Sequence, residues 1–105
     1  MTTARRPVRA TLSFFADLDR QLGAERGPRG EPSTNDFQSV ELLPIVEIFA
    51  TRFDDLPELI PGRTDYRVLI TTGVLVQGLT AVGQLATDGA VELVSLEIDL
   101  GFDEY

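Results

Sequence analysis

The sequence predicts an α+β fold in which a C-terminal antiparallel sheet packs against one or two helices. Two segments with apolar residues at helical spacing predict the helices. The final forty residues are rich in β-forming residues and are divided by two glycine turns, which predicts the sheet. The length of 105 residues fits a single domain. The predicted elements are a short N-terminal strand over 8–12, helices over about 13–22 and 36–55, and strands over about 66–72, 74–86 and 90–100.

The N-terminal third is predicted to be a strand, a helix and a loop. Apolar and polar residues alternate over 8–12, which is typical of a strand. Apolar residues recur at helical spacing over 13–22, and Gly23 suits the end of a helix. Residues 23–33 contain three Gly and two Pro, so this segment is predicted to be a loop.

A second helix is predicted over 36–55, with Asn35 as its N-terminal cap. The apolar residues from Leu42 to Leu56 step by four, three, four and three positions, which places them on one face. Pro44 lies within this pattern. It either kinks one long helix or lies in the first turn of a separate helix.

The strongest structural signal is a three-stranded meander with turns at Thr72-Gly73 and Asp88-Gly89. Two-residue turns at both places align apolar residues: Leu79 opposite Ile98, and Tyr66 opposite Leu79. Since a slip of one residue would scatter this set over both faces, we expect the register to be well specified. The predicted core face of the meander is Tyr66, Val68, Ile70, Leu75, Leu79, Ala81, Leu85, Val94, Leu96, Ile98 and Leu100.

The residue types that are absent limit the chemistry of the chain. It contains no histidine, cysteine, lysine or tryptophan. This excludes Ser-His-Asp and Cys-His nucleophiles, Schiff-base lysines and zinc sites built from His and Cys. The acids Asp54, Asp55 and Glu58 are interpreted as a solvated helix end, so we predict no metal and no cofactor. The absence of cysteine and of a secretory signal favours a cytoplasmic location.

The charge is unevenly distributed along the chain. The net charge is −8, with six Arg against three acids in residues 1–30 and three Arg against fourteen acids in residues 31–105. Residues 1–7 are predicted to be a basic arm, either solvated or folded against the acidic body, and 101–105 an acidic tail. Because the body repels phosphates and no apolar run is long enough to span a membrane, we predict neither nucleic acid nor membrane as a partner. Basic protein surfaces, or another copy of the chain, are the expected partners.

Two sets of residues are candidate sites. The second face of the sheet is predicted to be half apolar and to serve as a protein interface, unless the first strand and helix cover it. Glu97 and Asp99 are predicted to project from one side of their strand. Tyr66 and Glu92 are the best candidates for a carboxylate–tyrosine pocket that could work without histidine. The predicted interface strip is Val76, Val82, Val91 and Leu93.

The function these features favour is a small, non-catalytic interaction or assembly module, as a homo-oligomer or as part of a larger complex. A cofactor-free enzyme acting on a small hydrophobic substrate is the first alternative. It requires a pocket between the helices and the sheet. The second alternative is an inhibitor or immunity-type protein whose acidic face masks a basic site.

The predicted order of elements, with Tyr66-Arg67-Val68-Leu69 opening the meander, is similar to that of RelE/ParE-type toxins. The resemblance implies a strand, two helices and a terminal antiparallel sheet. It also implies Arg, Lys, His or Tyr near the last strands in ribonuclease members. This chain has acids there instead, so the resemblance is an analogy of fold.

Overall fold

The computed structural model describes residues 5–101, and it shows an α+β fold with a four-stranded sheet. The strand order is β1-β4-β3-β2, with β1 parallel to β4 and the other neighbours antiparallel. The predicted fold class, C-terminal antiparallel meander and short N-terminal strand are confirmed. In chain order the elements are β1 (Val8–Ala10), α1 (Leu12–Gln21), α2 (Thr34–Val40), α3 (Leu42–Arg52), a 3₁₀ turn (Phe53–Asp55), β2 (Tyr66–Thr71), β3 (Gly78–Leu85) and β4 (Val91–Asp99).

The core lies between the helices and one face of the sheet, which we call the inner face. Three phenylalanines from the three helices, Phe14, Phe37 and Phe49, are fully buried there. They pack with side chains from alternate positions of each strand, as pleating requires. The inner-face residues of the core are Leu69, Leu79, Ala81, Val91, Leu93 and Leu96.

The predicted second helix is two helices. Ser33 caps α2 through a reciprocal pair of hydrogen bonds with Asp36, and α2 ends at Val40. Pro44 is the third residue of α3. A proline is tolerated there because the first turn of a helix does not use its own N–H groups. The second of the two arrangements expected for Pro44 is therefore the one observed.

Helix α1 lies along the edge of β4, beyond the end of β1. Its polar side chains Ser13, Asp17 and Gln21 are spaced by four residues and so share one helix face. The Asp17 carboxylate accepts from the Leu96 N–H at 2.9 Å, and Gln21 bonds both the Leu96 C=O and the Ile98 N–H at 2.7 Å. These side chains bond the backbone N–H and C=O groups of β4 that a neighbouring strand would otherwise bond. The helix therefore takes the place of a strand along this part of the sheet.

The predicted register of β3 and β4 is confirmed at Leu79–Ile98 and Ala81–Leu96. Two departures from the predicted hairpin offset each other. The turn has three residues between Ala86 and Ala90, with φ +88° at Gly89. A bulge between Val82 and Gly83 then restores the original pairing.

The predicted turn at Thr72-Gly73 is wrong. Tyr66 pairs with Gln84 and not with Leu79, and a six-residue connection over 72–77 joins β2 to β3. The longer connection moves the register by an odd number of residues, which turns β2 over. Tyr66, Val68 and Ile70 were therefore wrongly placed in the core, since they lie on the opposite face from Leu69. Val94 was also misplaced, because it is the extra residue at the bulge.

The flanking segments are partly described. Within the predicted basic arm, Arg5 binds Glu47 through both guanidinium nitrogens and Arg6 binds Asp54, so this part folds against the acidic body. The segment 23–33 contains neither helix nor strand. Residues 1–4 of the predicted arm and 102–105 of the predicted tail lie outside the described residues.

Gly83 allows the Phe49 ring to pack directly on β3. A Cβ at this position would lie 2.6 Å from Phe49 Cε1 and 3.0 Å from Val91 Cγ1. We expect Gly83→Ala to lower the free energy of unfolding by about 1–3 kcal/mol through overpacking, measured by urea denaturation. Gly78→Ala is the matched control in the same strand, because its nearest atoms would be 3.5 and 3.9 Å away. Equal destabilisation by both variants would contradict this explanation.

The bond from Asp17 to β4 predicts a pH dependence. Hydrogen bonds from Arg20 and from the Leu96 N–H hold the pKa of Asp17 below its ordinary value of 3.8. The stabilisation is therefore complete above that value and is lost as pH falls towards the lower folded pKa. We expect the difference in unfolding free energy between wild type and Asp17→Asn to shrink from about pH 6 to about pH 3.

The matched control for this effect is Asp19→Asn. Asp19 is on the same helix, and its carboxylate makes no hydrogen bond within the part of the chain that the structure describes. If Asp19→Asn reproduces the Asp17→Asn profile, removal of charge from α1 explains the result and the bond to Leu96 does not.

Candidate functional site

The face of the sheet opposite the helices, the outer face, bears four rows of side chains across the strands. No helix of the described chain contributes to it, because the helical side chains of the core pack with inner-face residues. Val68 and Val82 lie opposite each other at its centre, each less than a tenth exposed. The rows are Tyr66–Gln84–Glu92–Arg9, Val68–Val82–Ser95, Ile70–Thr80–Glu97 and Gly78–Asp99.

One end of the outer face is hollowed into a trough of about 420 Å³. Its floor is formed by Gly78, which has no side chain, and by the small residue Thr80. Ile70 stands on one side, with 76% of its surface exposed. Glu97 and Asp99 stand on the other side and are also exposed. The trough therefore has an apolar side chain along one side and two acidic side chains along the other.

The two acids of the trough form no ion pair with a cation of the described residues. The Glu97 carboxylate makes no hydrogen bond or ion pair with any residue in the described range 5–101, and the Asp99 carboxylate accepts there only from the Gly101 N–H, at 2.8 Å. At the other end of the outer face, Arg9 binds Asp88 at 2.9 Å and Glu92 at 3.5 Å. Arg9 lowers the pKa of Asp88, chiefly by hydrogen bonding. Arg9 therefore neutralises part of the negative charge at that end, whereas no described residue neutralises the carboxylates of the trough.

Tyr66 and Glu92 share a row but form no pocket. Gln84 lies between them, so they are separated by two strand spacings, about 10 Å. The Arg63 guanidinium lies over the Tyr66 ring, 4.8 Å from its centroid. Neither residue lines the trough or any of three other cavities of the described chain. The predicted candidate pocket is not assembled.

The predicted interface strip does not lie on one exposed face. Val91 and Leu93 are fully buried beneath the helices, and Val76 is a buried member of the same core. Only Val82 lies on the outer face. The bulge explains part of the error, because the positions of β4 before it lie on the face opposite to that predicted.

Sequence reasoning found the acidic half of the trough and missed the apolar half. Glu97 and Asp99 project from the same side of β4, as predicted. Ile70 was assigned to the core because the turn before β3 was placed wrongly. Nothing in the local sequence marks the correct register, since a buried side chain from another segment sets it.

That side chain is Glu41, which is 4% exposed and lies between α2 and α3. Its carboxylate accepts hydrogen bonds from the N–H groups of Val74, Leu75 and Val76 at 2.9–3.3 Å. The connection over 72–77 folds around these bonds and ends with the Gln77 N–H donating to the Asp99 C=O. Glu41 thereby fixes where β3 begins.

A larger cavity, about 530 Å³, lies between residues 5–7, the end of α3 and the β3–β4 turn. Its charges pair with one another, as in Arg6–Asp54 at 3.1 Å and Arg52–Asp55 at 3.9 Å.

The described residues contain no group of three acids that could hold a metal ion. Nor is any described helix long and apolar enough to cross a membrane. We therefore take the trough as the candidate site.

The anchoring role of Glu41 can be tested with Glu41→Gln. The amide keeps one acceptor but turns an NH₂ group towards backbone donors, so we expect a loss of about 1–3 kcal/mol in unfolding free energy. Amide exchange at Val74, Leu75 and Val76 should accelerate more than amide exchange within β3. Glu47→Gln, at an exposed ion pair with Arg5, is the control and should change little. Unchanged exchange at the three amides in Glu41→Gln would contradict the role.

Comparison with known proteins does not assign this chain to a family. No family model, no curated protein and no solved structure matches it. The similarity to RelE/ParE-type toxins therefore concerns the order of elements alone. The candidate site rests on its own geometry.

Proposed function

We propose that this protein is a non-catalytic interaction module that binds a basic surface of another protein through the trough on its outer face. The observation that carries the proposal is the pairing of exposed Ile70 with two acids, Glu97 and Asp99, across a floor without large side chains. A sheet covered on one face only leaves such a surface available to a partner.

The chemistry of the trough favours an arginine or lysine side chain as the inserted group. Such a side chain has an apolar stem, which can pack on Ile70 and the methyl group of Thr80. Its charged head then reaches the carboxylates of Glu97 and Asp99. Charge-assisted hydrogen bonds to two carboxylates give both affinity and orientation.

The overall charge supports a different protein as partner, in preference to a second copy. Residues 31–105 carry fourteen acids against three Arg, so two copies facing each other through this surface would repel. The same charge argues against nucleic acid as the ligand. A cytoplasmic location is part of the proposal, because the absence of cysteine suits a reducing compartment.

The inhibitor and enzyme alternatives are supported to different degrees. An inhibitor or immunity-type protein that masks a basic site is one form of this proposal, since it would use the same acidic surface. A carboxylate–tyrosine enzyme has no support from the geometry, because Gln84 separates Tyr66 from Glu92 and neither lines the trough or the larger cavity beside residues 5–7.

The test is an NMR titration with two blocked pentapeptides, Arg-Val-Thr-Val-Arg (the basic probe) and Thr-Val-Thr-Val-Thr (the neutral probe). We expect the basic probe to bind more tightly and to shift the resonances of Thr80, Glu97 and Asp99. Its affinity should fall as salt rises, because the charged groups are partly solvated. The double variant Glu97→Gln/Asp99→Asn should weaken the basic probe by about tenfold, which corresponds to about 1.4 kcal/mol.

The control is Asp19→Asn/Glu25→Gln, which removes the same charge from two exposed sites outside the trough. It should leave the affinity for the basic probe nearly unchanged. An equal loss in both double variants would mean that net charge alone attracts the probe, and the trough would then be no site. A wild-type dimer in sedimentation whose interface is the outer face would also overturn the proposal.

A further inference from the structure

The edge of β2 is covered along its first half and open along its second. Segment Pro57–Leu59 runs antiparallel to β2, with the Leu59 N–H donating to Tyr66 C=O at 3.1 Å and the Val68 N–H donating to Pro57 C=O at 3.0 Å. The even-numbered residues of β2 thus direct their backbone groups away from β3. By the alternation of an antiparallel ladder, Ile70 does the same.

No backbone partner from residues 5–101 meets the outward groups beyond Val68. Pro57 has no N–H to give to the Val68 C=O, and the chain before it turns away into the 3₁₀ turn. The Ile70 N–H and C=O follow at the rim of the trough, with no hydrogen-bond partner among residues 5–101. This stretch also lacks the charges, prolines and bulges that usually protect an edge from pairing.

The covering segment is fixed in place and so does not slide along to close the edge. The Arg67 guanidinium donates to the carbonyl oxygens of Asp54 at 3.1 Å and Leu56 at 2.8 Å, and it lies over the Phe53 ring. These bonds tie the approach to Pro57 to the inner side of β2. The covering segment therefore stays at the first half of the β2 edge, and the second half stays open.

We infer that the open edge from Val68 to Thr72 receives an extended segment of the partner protein as a further strand, in the order β1-β4-β3-β2-partner. Added strands gain affinity from backbone hydrogen bonds and specificity from alternate side chains. This inference rests on the proposed function, and it adds the conformation of the bound segment. Side chains on one side of that segment would pack beside Ile70, next to the trough.

A second copy of the chain fits this edge poorly. In an antiparallel pairing of two β2 strands, the Pro57–Leu59 segment of each copy covers Tyr66–Val68, so only Val68–Thr72 of each copy is left to pair. Only a few residues on each side could then pair, and the net charge of −8 on each copy opposes the approach. A short extended segment of another protein carries no covering segment of its own and need not be acidic.

The test measures amide hydrogen exchange of the full chain. In the free protein we expect the Ile70 N–H to exchange faster than that of Leu69, which belongs to the β2–β3 ladder. Saturation with the neutral probe, at ten times its Kd, should slow exchange at Ile70 by about tenfold. Ile70→Pro removes only an outward N–H, so it should fold and abolish binding of the neutral probe. Ile70→Thr keeps the N–H and should retain it.

Several results would overturn the inference. These are an Ile70 amide already as slow as Leu69 in the free protein, no slowing at about 5 mM neutral probe, or equal binding of the probe by Ile70→Pro. A dimer that Ile70→Pro dissociates would assign the edge to a second copy instead. Should Ile70→Pro fail to fold, exchange at Ile70 in the wild type decides the matter.

Failure of the inference and failure of the proposed function are distinguishable. If the basic probe shifts Thr80 and Glu97 while exchange at Ile70 stays fast, the trough binds and the edge does not. If both probes slow exchange at Ile70 equally, and Glu97→Gln/Asp99→Asn has no effect, the edge binds an extended segment and the acidic trough has no role.

Discussion

The carboxylate of Glu41 and the three backbone N–H groups of Val74, Leu75 and Val76 form the interaction on which the sheet depends. A carboxylate that is 4% exposed costs free energy unless its oxygens are bonded, and these donors satisfy them. Gly73 is needed beside it, because a Cβ there would collide with Glu41 Oε2. The connection between β2 and β3 is therefore long, and its length decides which side of β2 faces the helices.

The two edges of the sheet are covered to different extents. Along β4, helix α1 supplies Ser13, Asp17 and Gln21 to backbone groups that β1 is too short to reach. Along β2, segment Pro57–Leu59 covers the first half only. The polar side chains of a helix thus close one edge, while the other stays open beside the trough. Because the helices occupy one face only, the surfaces left for a partner are the outer face and the end of β2.

Much of the fold could be predicted from the sequence because the signals are local. The Asp88-Gly89 turn and the apolar pattern of β3 and β4 predict their pairing, and the three-residue turn and the bulge cancel each other's effect on it. The projection of Glu97 and Asp99 from one side of β4 follows from strand geometry alone. The candidate pocket of Tyr66 and Glu92 failed for a different reason: sharing a face does not bring two side chains into contact.

The sequence by itself determined the class of fold, the places of the helices, the pairing of the last two strands and an acidic surface. Each of these follows from residue type or from spacing within one element or one hairpin. Only the tertiary structure decided the orientation of β2, the exposure of Ile70 and the burial of Val91 and Leu93. The physical reason is that Glu41 bonds a segment more than thirty residues away, and no periodicity in either segment reports that contact.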